Sequence, residues 1–297
     1  MLTSEFSIMF KGYFFIITAA SCWAAIGIFS SIAFAQGISP MEVAFWRAAI
    51  AWLFFCCQAI MTGNTRIRGK DVFPLVVFAF LGISLFYISY QYAVQSGGAA
   101  FASVLLYTAP AWVVFCSWIF SGEKPRATRL FAVLLVIAGV FCIAQNGAPE
   151  SSARSFGGVA LVAGITAGFC YSLYYTVGKY FISHYSSANL FLYVLPLGIL
   201  GILPFVSFAP KNIVAWAALL GVSVISTYIA NFCYYQSLKY LEPGRASLVA
   251  TVEPVFAAVA AFFFFGEYFR ILGYLGAAMI LCAVILTVSE KSPAENE

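Results

Sequence analysis

Apolar residues run along this chain in ten blocks of roughly membrane-spanning length, separated by short polar connections. A helix of about 20 apolar residues, rising about 1.5 Å per residue, crosses the hydrocarbon layer. The blocks predict spanning helices over 13–35, 41–61, 73–94, 99–120, 129–146, 157–182, 189–208, 213–238, 246–265 and 270–289. Inside lipid a helix satisfies its own backbone donors and acceptors, and an isolated strand does not. No connection has room for a soluble domain. The largest run from Thr62 to Asp71, from Ser121 to Thr128 and from Asn146 to Phe156, and the last, rich in Gly, Ser, Ala and Pro, is expected to join two halves. The first block spans without a clear small-residue cleavage site, so it is expected to stay as the first membrane helix.

Composition supports the bilayer as solvent. Of 297 residues 63% are apolar and 9% charged, where a soluble domain carries about a quarter charged. All eight cysteines, at 22, 56, 57, 116, 142, 170, 233 and 282, lie inside apolar runs and read as small buried hydrophobes. With a single histidine, His184, in a connection, there is no metal-ligand spacing, and no cofactor or nucleic-acid partner is expected. Orientation follows from the cations. With both termini cytoplasmic, the inner side holds eleven: Lys11, Arg66, Arg68, Lys70, Lys124, Arg126, Arg129, Lys179, Lys239, Arg245 and Lys291. The outer side holds three, Arg154, Lys211 and Arg270, and Arg47 lies within a span. A count of nine or eleven spans would scramble that asymmetry.

The chain also repeats itself. Placing Pro110 on Pro254, 144 residues apart, puts Tyr90 on Tyr234, Ala102-Ser103 on Ala246-Ser247, Gly122-Glu123 on Gly266-Glu267, Arg126 on Arg270 and Val140 on Val284, without a gap. Two modules follow, 13–146 and 157–289. Each holds five spans, an odd number, so the halves enter the membrane in opposite senses. The expected fold is therefore an all-α membrane protein of ten transmembrane helices, an inverted repeat of two five-helix halves.

These motifs carry a resemblance. Tyr92-Ala93, Ala102-Ser103, Tyr107-Thr108-Ala109-Pro110 and Gly122-Glu123 in one half, with Ala246-Ser247, Glu253-Pro254 and Gly266-Glu267 in the other, resemble the drug/metabolite transporter superfamily, and within it the EamA-type families with two modules. Ile38-Ser39-Pro40-Met41, followed by Phe45-Trp46-Arg47, likewise resembles the start of the family's second helix. The resemblance covers roughly residues 13 to 289. It implies a central cavity between the halves and export or exchange of small metabolites, in the inner membrane.

Ionisable groups inside spans need a reason, since each costs about 2.5–3.5 kcal/mol at mid-helix on insertion scales. Glu253, eighth in its predicted span and about 12 Å along it, is too deep to reach either surface. It is either a proton- or amine-binding group or a carboxylic acid hydrogen-bonded to a neighbouring helix. Arg47 either snorkels to the outer interface or turns its guanidinium into the cavity. Glu42 is expected to be an exposed helix-end residue. Pro110 and Pro254 each leave the carbonyl four residues earlier, Leu106 or Ala250, without its usual donor, which marks either a midplane site or a plain packing kink. Tyr87, Tyr90 and Gln91 share an α-helical face, as do Tyr228, Asn231 and Tyr235, and the offset of 144 superposes the two stripes. They form a candidate lining with Trp23, Tyr107, Tyr171, Tyr174 and Tyr175, against the plainer role of interface anchors.

The function these features point to is a secondary transporter, an exporter or exchanger of small organic metabolites such as amino acids or related amphipathic amines, with protons as a candidate coupling ion. The alternatives are an intramembrane enzyme and a non-transporting membrane scaffold. Enzyme chemistry needs a nucleophile or metal with placed acid and base groups, and one His and one Asp, Asp71, supply little of that. ATP-driven pumping lacks its Gly-x-x-x-x-Gly-Lys loop.

Overall fold

A computed structural model describes residues 2–63, 65–97, 99–121, 125–146, 158–265 and 271–289. Gly122-Glu123, Lys124, Arg154, Gly266-Glu267, Arg270 and Lys291 lie outside the described residues. The chain forms ten helical rods and, among the described residues, no strand. We number them α1 (Leu2–Ala24 and Ile26–Ala35), α2 (Pro40–Met61), α3 (Gly69–Phe78, Ala79–Leu85 and Phe86–Gly97), α4 (Ala99–Leu106 and Ala109–Ser121) and α5 (Ala127–Asn146). The second half holds α6 (Gly158–Ile182), α7 (Ser187–Ile202, then Leu203–Phe205), α8 (Ile213–Ser223, Val224–Ile229 and Ala230–Ser237), α9 (Pro243–Ala250 and Glu253–Phe265) and α10 (Ile271–Ser289). Eight of the ten rods contain stretches long and apolar enough to cross a membrane, while α4 and α5 contribute the shorter apolar stretches Val104–Ile119 and Ala127–Ile143.

Boundaries differ from the sequence expectation where caps, not hydropathy, set the helix end. α2 begins at Pro40 because Ser39 accepts from the Glu42 N–H, and α7 begins at Ser187 because Ser186 accepts from the Asn189 N–H. α9 begins at Pro243, three residues early, with proline at the first helical position where no donor is lost. α1 starts at Leu2 rather than residue 13.

The repeat is visible in the backbone. The middle pieces of α3 and α8, Ala79–Leu85 and Val224–Ile229, are π-helical, and their last residues are 144 apart. The breaks of α4 and α9, at Tyr107-Thr108 and Thr251-Val252, are also 144 apart. Packing follows the same pseudo-twofold: α3 against α6 mirrors α8 against α1, α7 against α3 mirrors α2 against α8, and α5 meets α10. At that last crossing Gly139 and Gly276 face each other, each filling the place where a side chain on the other would meet its carbonyl oxygen.

The outer surface is apolar, with Phe263, Leu134 and Ile213 among many large exposed side chains, as lipid contact requires. The expectation for Glu42 is corrected. It is fully buried, and its carboxylate pairs with Lys211 at 2.5 Å and accepts from Ala209 N–H and Trp46 Nε1. A helix-end residue is exposed only when nothing covers the end, and here the loop before α8 folds over it.

Candidate functional site

Prolines 110 and 254 determine the geometry at the centre. Each lacks the N–H that would bond four residues back, and its ring crowds that carbonyl. The first piece of each helix therefore ends at Leu106 or Ala250. Tighter three-residue bonds close the ends: Thr108 N–H to Leu105 O at 3.2 Å, and Val252 N–H to Val249 O at 3.2 Å. Threonine hydroxyls take up further carbonyl capacity, Thr108 on Leu105 O and Thr251 on Leu248 O. New helices then start at Ala109 and Glu253. Two helix N-termini thus lie inside the bundle, and one carries a carboxylate in its first turn, where the helix dipole favours negative charge. Its partner position in the other half is Ala109, so a symmetric frame holds a chemically one-sided site.

The Tyr107 hydroxyl lies within interaction range of the Glu253 carboxylate. Tyr90, Tyr171 and Tyr175 lie within electrostatic reach of the same carboxylate, as does Arg47. Arg47 turns inward and does not extend to the interface: its Nε donates to Thr227 Oγ1 at 3.2 Å, and its guanidinium sits 5.1 Å from the Tyr87 ring centroid. Tyr107, Ala109, Pro110, Tyr171, Tyr175, Ser247, Ala250 and Thr251 line a narrow crevice of about 190 Å³, too slim to admit a water-sized sphere. Around it runs an aromatic wall. Trp23 meets Tyr171 at 6.5 Å and Tyr234 at 5.4 Å, Tyr175 meets Tyr234 at 5.1 Å, and Phe86 stacks on Tyr171 at 5.5 Å. Tyr175 donates to Tyr171 at 3.3 Å, while the buried Tyr234 hydroxyl has no protein partner.

The structure thus brings Glu253, Arg47, Trp23, Tyr87, Tyr90, Tyr107, Tyr171 and Tyr175 together with both prolines. The α8 stripe does not join them. Tyr228 donates to Gln58 on α2 and packs on Phe54 and Phe55. Asn231 is spent on the Thr227 carbonyl at 2.8 Å, and Tyr235 packs on Phe191. Gln91 is half-buried on α3. The reason is the π-helical turn: a face counted at 3.6 residues per turn loses phase across it, and Tyr228 lies inside that turn. Tyr234 and Phe86 enter the wall instead, beside the expected Tyr174, which packs on Phe86 and Tyr171. Tyr234 had one sequence signal, its place 144 residues after Tyr90. Among the described residues, no three of His, Cys, Asp and Glu gather as metal ligands.

Comparison with known proteins gives this arrangement a context. The profile of the EamA-like transporter family matches residues 10–145 and again 158–289. A protein of Archaeoglobus fulgidus described as an uncharacterized transporter is 30% identical over 258 residues, 86% of this chain and 88% of that one. A probable terminal-alkyne amino-acid exporter of Streptantibioticus cattleyicolor is 22% identical over 276 residues, 91% of this chain and 90% of its own length. One crystal structure superposes with a TM-score of 0.79 at 16% identity, covering 93% of this chain and 95% of the other, and so shares the fold.

Proposed function

Because the chain belongs to the EamA-like transporter family, we propose that it is a secondary carrier that moves amino acids or related amphipathic amines across the cytoplasmic membrane, as an exporter or exchanger, by alternating access to the crevice at the helix breaks. The observation that carries this reading is Glu253: a carboxylate at the mid-bundle helix break, with Tyr90, Tyr107, Tyr171 and Tyr175 within electrostatic range. A substrate ammonium would pair with this carboxylate and lie against aromatic faces, each such contact contributing about 0.5–2 kcal/mol. Arg47, one charge of opposite sign within reach, suits a substrate carboxylate through its planar fork. A zwitterion fits both poles. The amino-acid exporter among the relatives is in keeping with that chemistry. The cation asymmetry of eleven to three supports cytoplasmic termini. When no amine is bound, Glu253 is the group that a proton would occupy, which supports protons as the coupling ion.

The test is flux in proteoliposomes, with a panel of labelled amino acids and amines at two pH values. Glu253→Gln is expected to cut amine flux at least tenfold and to flatten its pH dependence. Unchanged flux and pH dependence in that variant would end the proton- and amine-binding role. A ligand-induced thermal shift across the same panel separates a carrier from a scaffold.

A further inference from the structure

A second cavity lies away from the central site, on the lipid-facing side of α1. It is a groove of about 430 Å³, wide enough for the water-sized sphere that the crevice excludes. Seven of its eight lining residues belong to α1, from Phe10 to Cys22, at the three-and-four spacing of a single helical face, and the eighth is Ile225 of α8. Twelve residues at about 1.5 Å each make the groove about 18 Å long. One leaflet, half of a hydrocarbon core about 30 Å thick, has nearly that depth.

The lining offers little to a polar ligand. Thr18 Oγ1 donates to the Phe14 carbonyl at 2.8 Å and Ser21 Oγ to the Ile17 carbonyl at 2.9 Å, so both hydroxyls are tied back to their own helix. The Tyr13 hydroxyl accepts from Arg245 at 3.4 Å. What remains is hydrocarbon, with Phe10, Phe14 and Ile17 63%, 59% and 40% exposed. A void against lipid forfeits the dispersion contacts of its walls, and a lipid tail supplies them.

Charge gathers at one end only. Lys11 follows Phe10 at the mouth. Lys239 precedes Tyr240, which meets the same stretch of α1: a Cβ on Gly12 would lie 2.9 Å from Tyr240 Cβ, and Phe15 stacks on the Tyr240 ring at 6.4 Å. Both lysines are exposed. The far end, at Cys22 and Ile225, is uncharged. Ile225 lies in the π-helical turn of α8, two residues before the buried Thr227 whose hydroxyl accepts from Arg47. An occupant of the groove thus packs on the outer side of the turn that holds Arg47.

We propose that this groove binds one acyl chain of an anionic phospholipid, from the leaflet at the end of the bundle where α1 begins, with the headgroup against Lys11 and Lys239. Depth, lining and charge agree on that occupant. The groove matches one leaflet in length, its hydroxyls are already spent, and its cations stand only where a headgroup would lie.

The test uses the full chain in proteoliposomes and does not depend on transport. The probe is phosphatidylglycerol with a photoreactive diazirine at the tip of one acyl chain, compared with the same chain on phosphatidylcholine, and the insertion sites are read by peptide mass spectrometry. Leu134 and Leu281, exposed near the middle of α5 and α10, report ordinary lipid contact. With phosphatidylglycerol, insertion at Ile225 is expected to exceed that at both leucines several-fold. In Ser21→Phe, whose ring fills the groove, it should fall to their level. Lys11→Gln combined with Lys239→Gln should lower the excess by about fivefold or more and abolish the preference for phosphatidylglycerol. Insertion at Ile225 no higher than at the leucines overturns the site, as it would if a second copy of the chain covered the groove. Equal insertion from the two headgroups in the parent overturns the anionic assignment. If Ser21→Phe does not fold, the two lipids on the parent chain decide.

Discussion

The crossing of α5 and α10 allows a prediction with a sign. Gly139→Ala would place a Cβ 2.7 Å from the Gly276 carbonyl oxygen and 2.9 Å from Ile280 Cγ1. The oxygen is backbone and cannot swing aside, so the helices must separate. Overpacking of this kind costs about 1–3 kcal/mol, against a gain of about 0.5–1 kcal/mol for replacing glycine by alanine within a helix. The net is a loss of about 1 kcal/mol. Gly27→Ala supplies the control, because nothing lies within 4 Å of its added Cβ and only the helical gain remains. The two variants should therefore differ by about 1–3 kcal/mol with opposite signs. At about 2–4 °C per kcal/mol for chains somewhat shorter than this one, that is a gap of a few degrees in Tm. Tryptophan fluorescence during thermal unfolding in detergent measures it. A Gly139→Ala protein that melts at or above Gly27→Ala would refute the close approach of the two helices.

Three further outcomes test the centre. Tyr107→Phe removes the polar hydroxyl beside Glu253, and a buried carboxylate that loses a potential donor should cost about 1–3 kcal/mol, read as a lower Tm together with slower amine flux; unchanged values in both would detach Tyr107 from the site. Pro254→Ala returns a donor to the Ala250 carbonyl, so stability should hold or rise by about 1 kcal/mol while flux falls; a variant that transports like the parent makes the break a plain kink. Arg47→Lys keeps the charge but gives up the Nε bond to Thr227 and the flat guanidinium over Tyr87. It should reduce the preference for amino acids over the matching amines about tenfold, near 1.4 kcal/mol, in competition flux assays.

Much of the frame was legible because its causes are local or periodic. Long apolar blocks give spans, and proline removes a donor wherever it falls, so Pro110 and Pro254 located both breaks from sequence alone. Glu253 stood out because a carboxylate at that depth needs a polar neighbour, and Tyr107 lies within interaction range of it. The faces of α3 and α8 were less legible. Tyr87, Tyr90 and Gln91 follow the π-helical turn of α3 and keep α-helical phase among themselves, whereas Tyr228 lies inside the turn of α8 and Tyr235 beyond it. Counting at i, i+3 and i+4 therefore chose Tyr235 over Tyr234. Glu42 was misjudged for another reason: what buries it is Lys211 and Ala209, more than 160 residues away, and no local pattern announces a loop from the other half. Ser39-Pro40-Met41-Glu42 has the spacing of a capping box, but the carboxylate spends itself on the distant loop.

The widened turns in α3 and α8 also bear on how the chain arose. Each is a helix with one residue too many for its rod, and such an insertion is tolerated in few places because everything after it rotates by about 100°. Two independent insertions would not be expected to stop at the same distance from two matching proline breaks, Leu85 before Pro110 and Ile229 before Pro254. The two widened turns therefore stand in the same register in both halves, as a duplicated five-helix unit would place them.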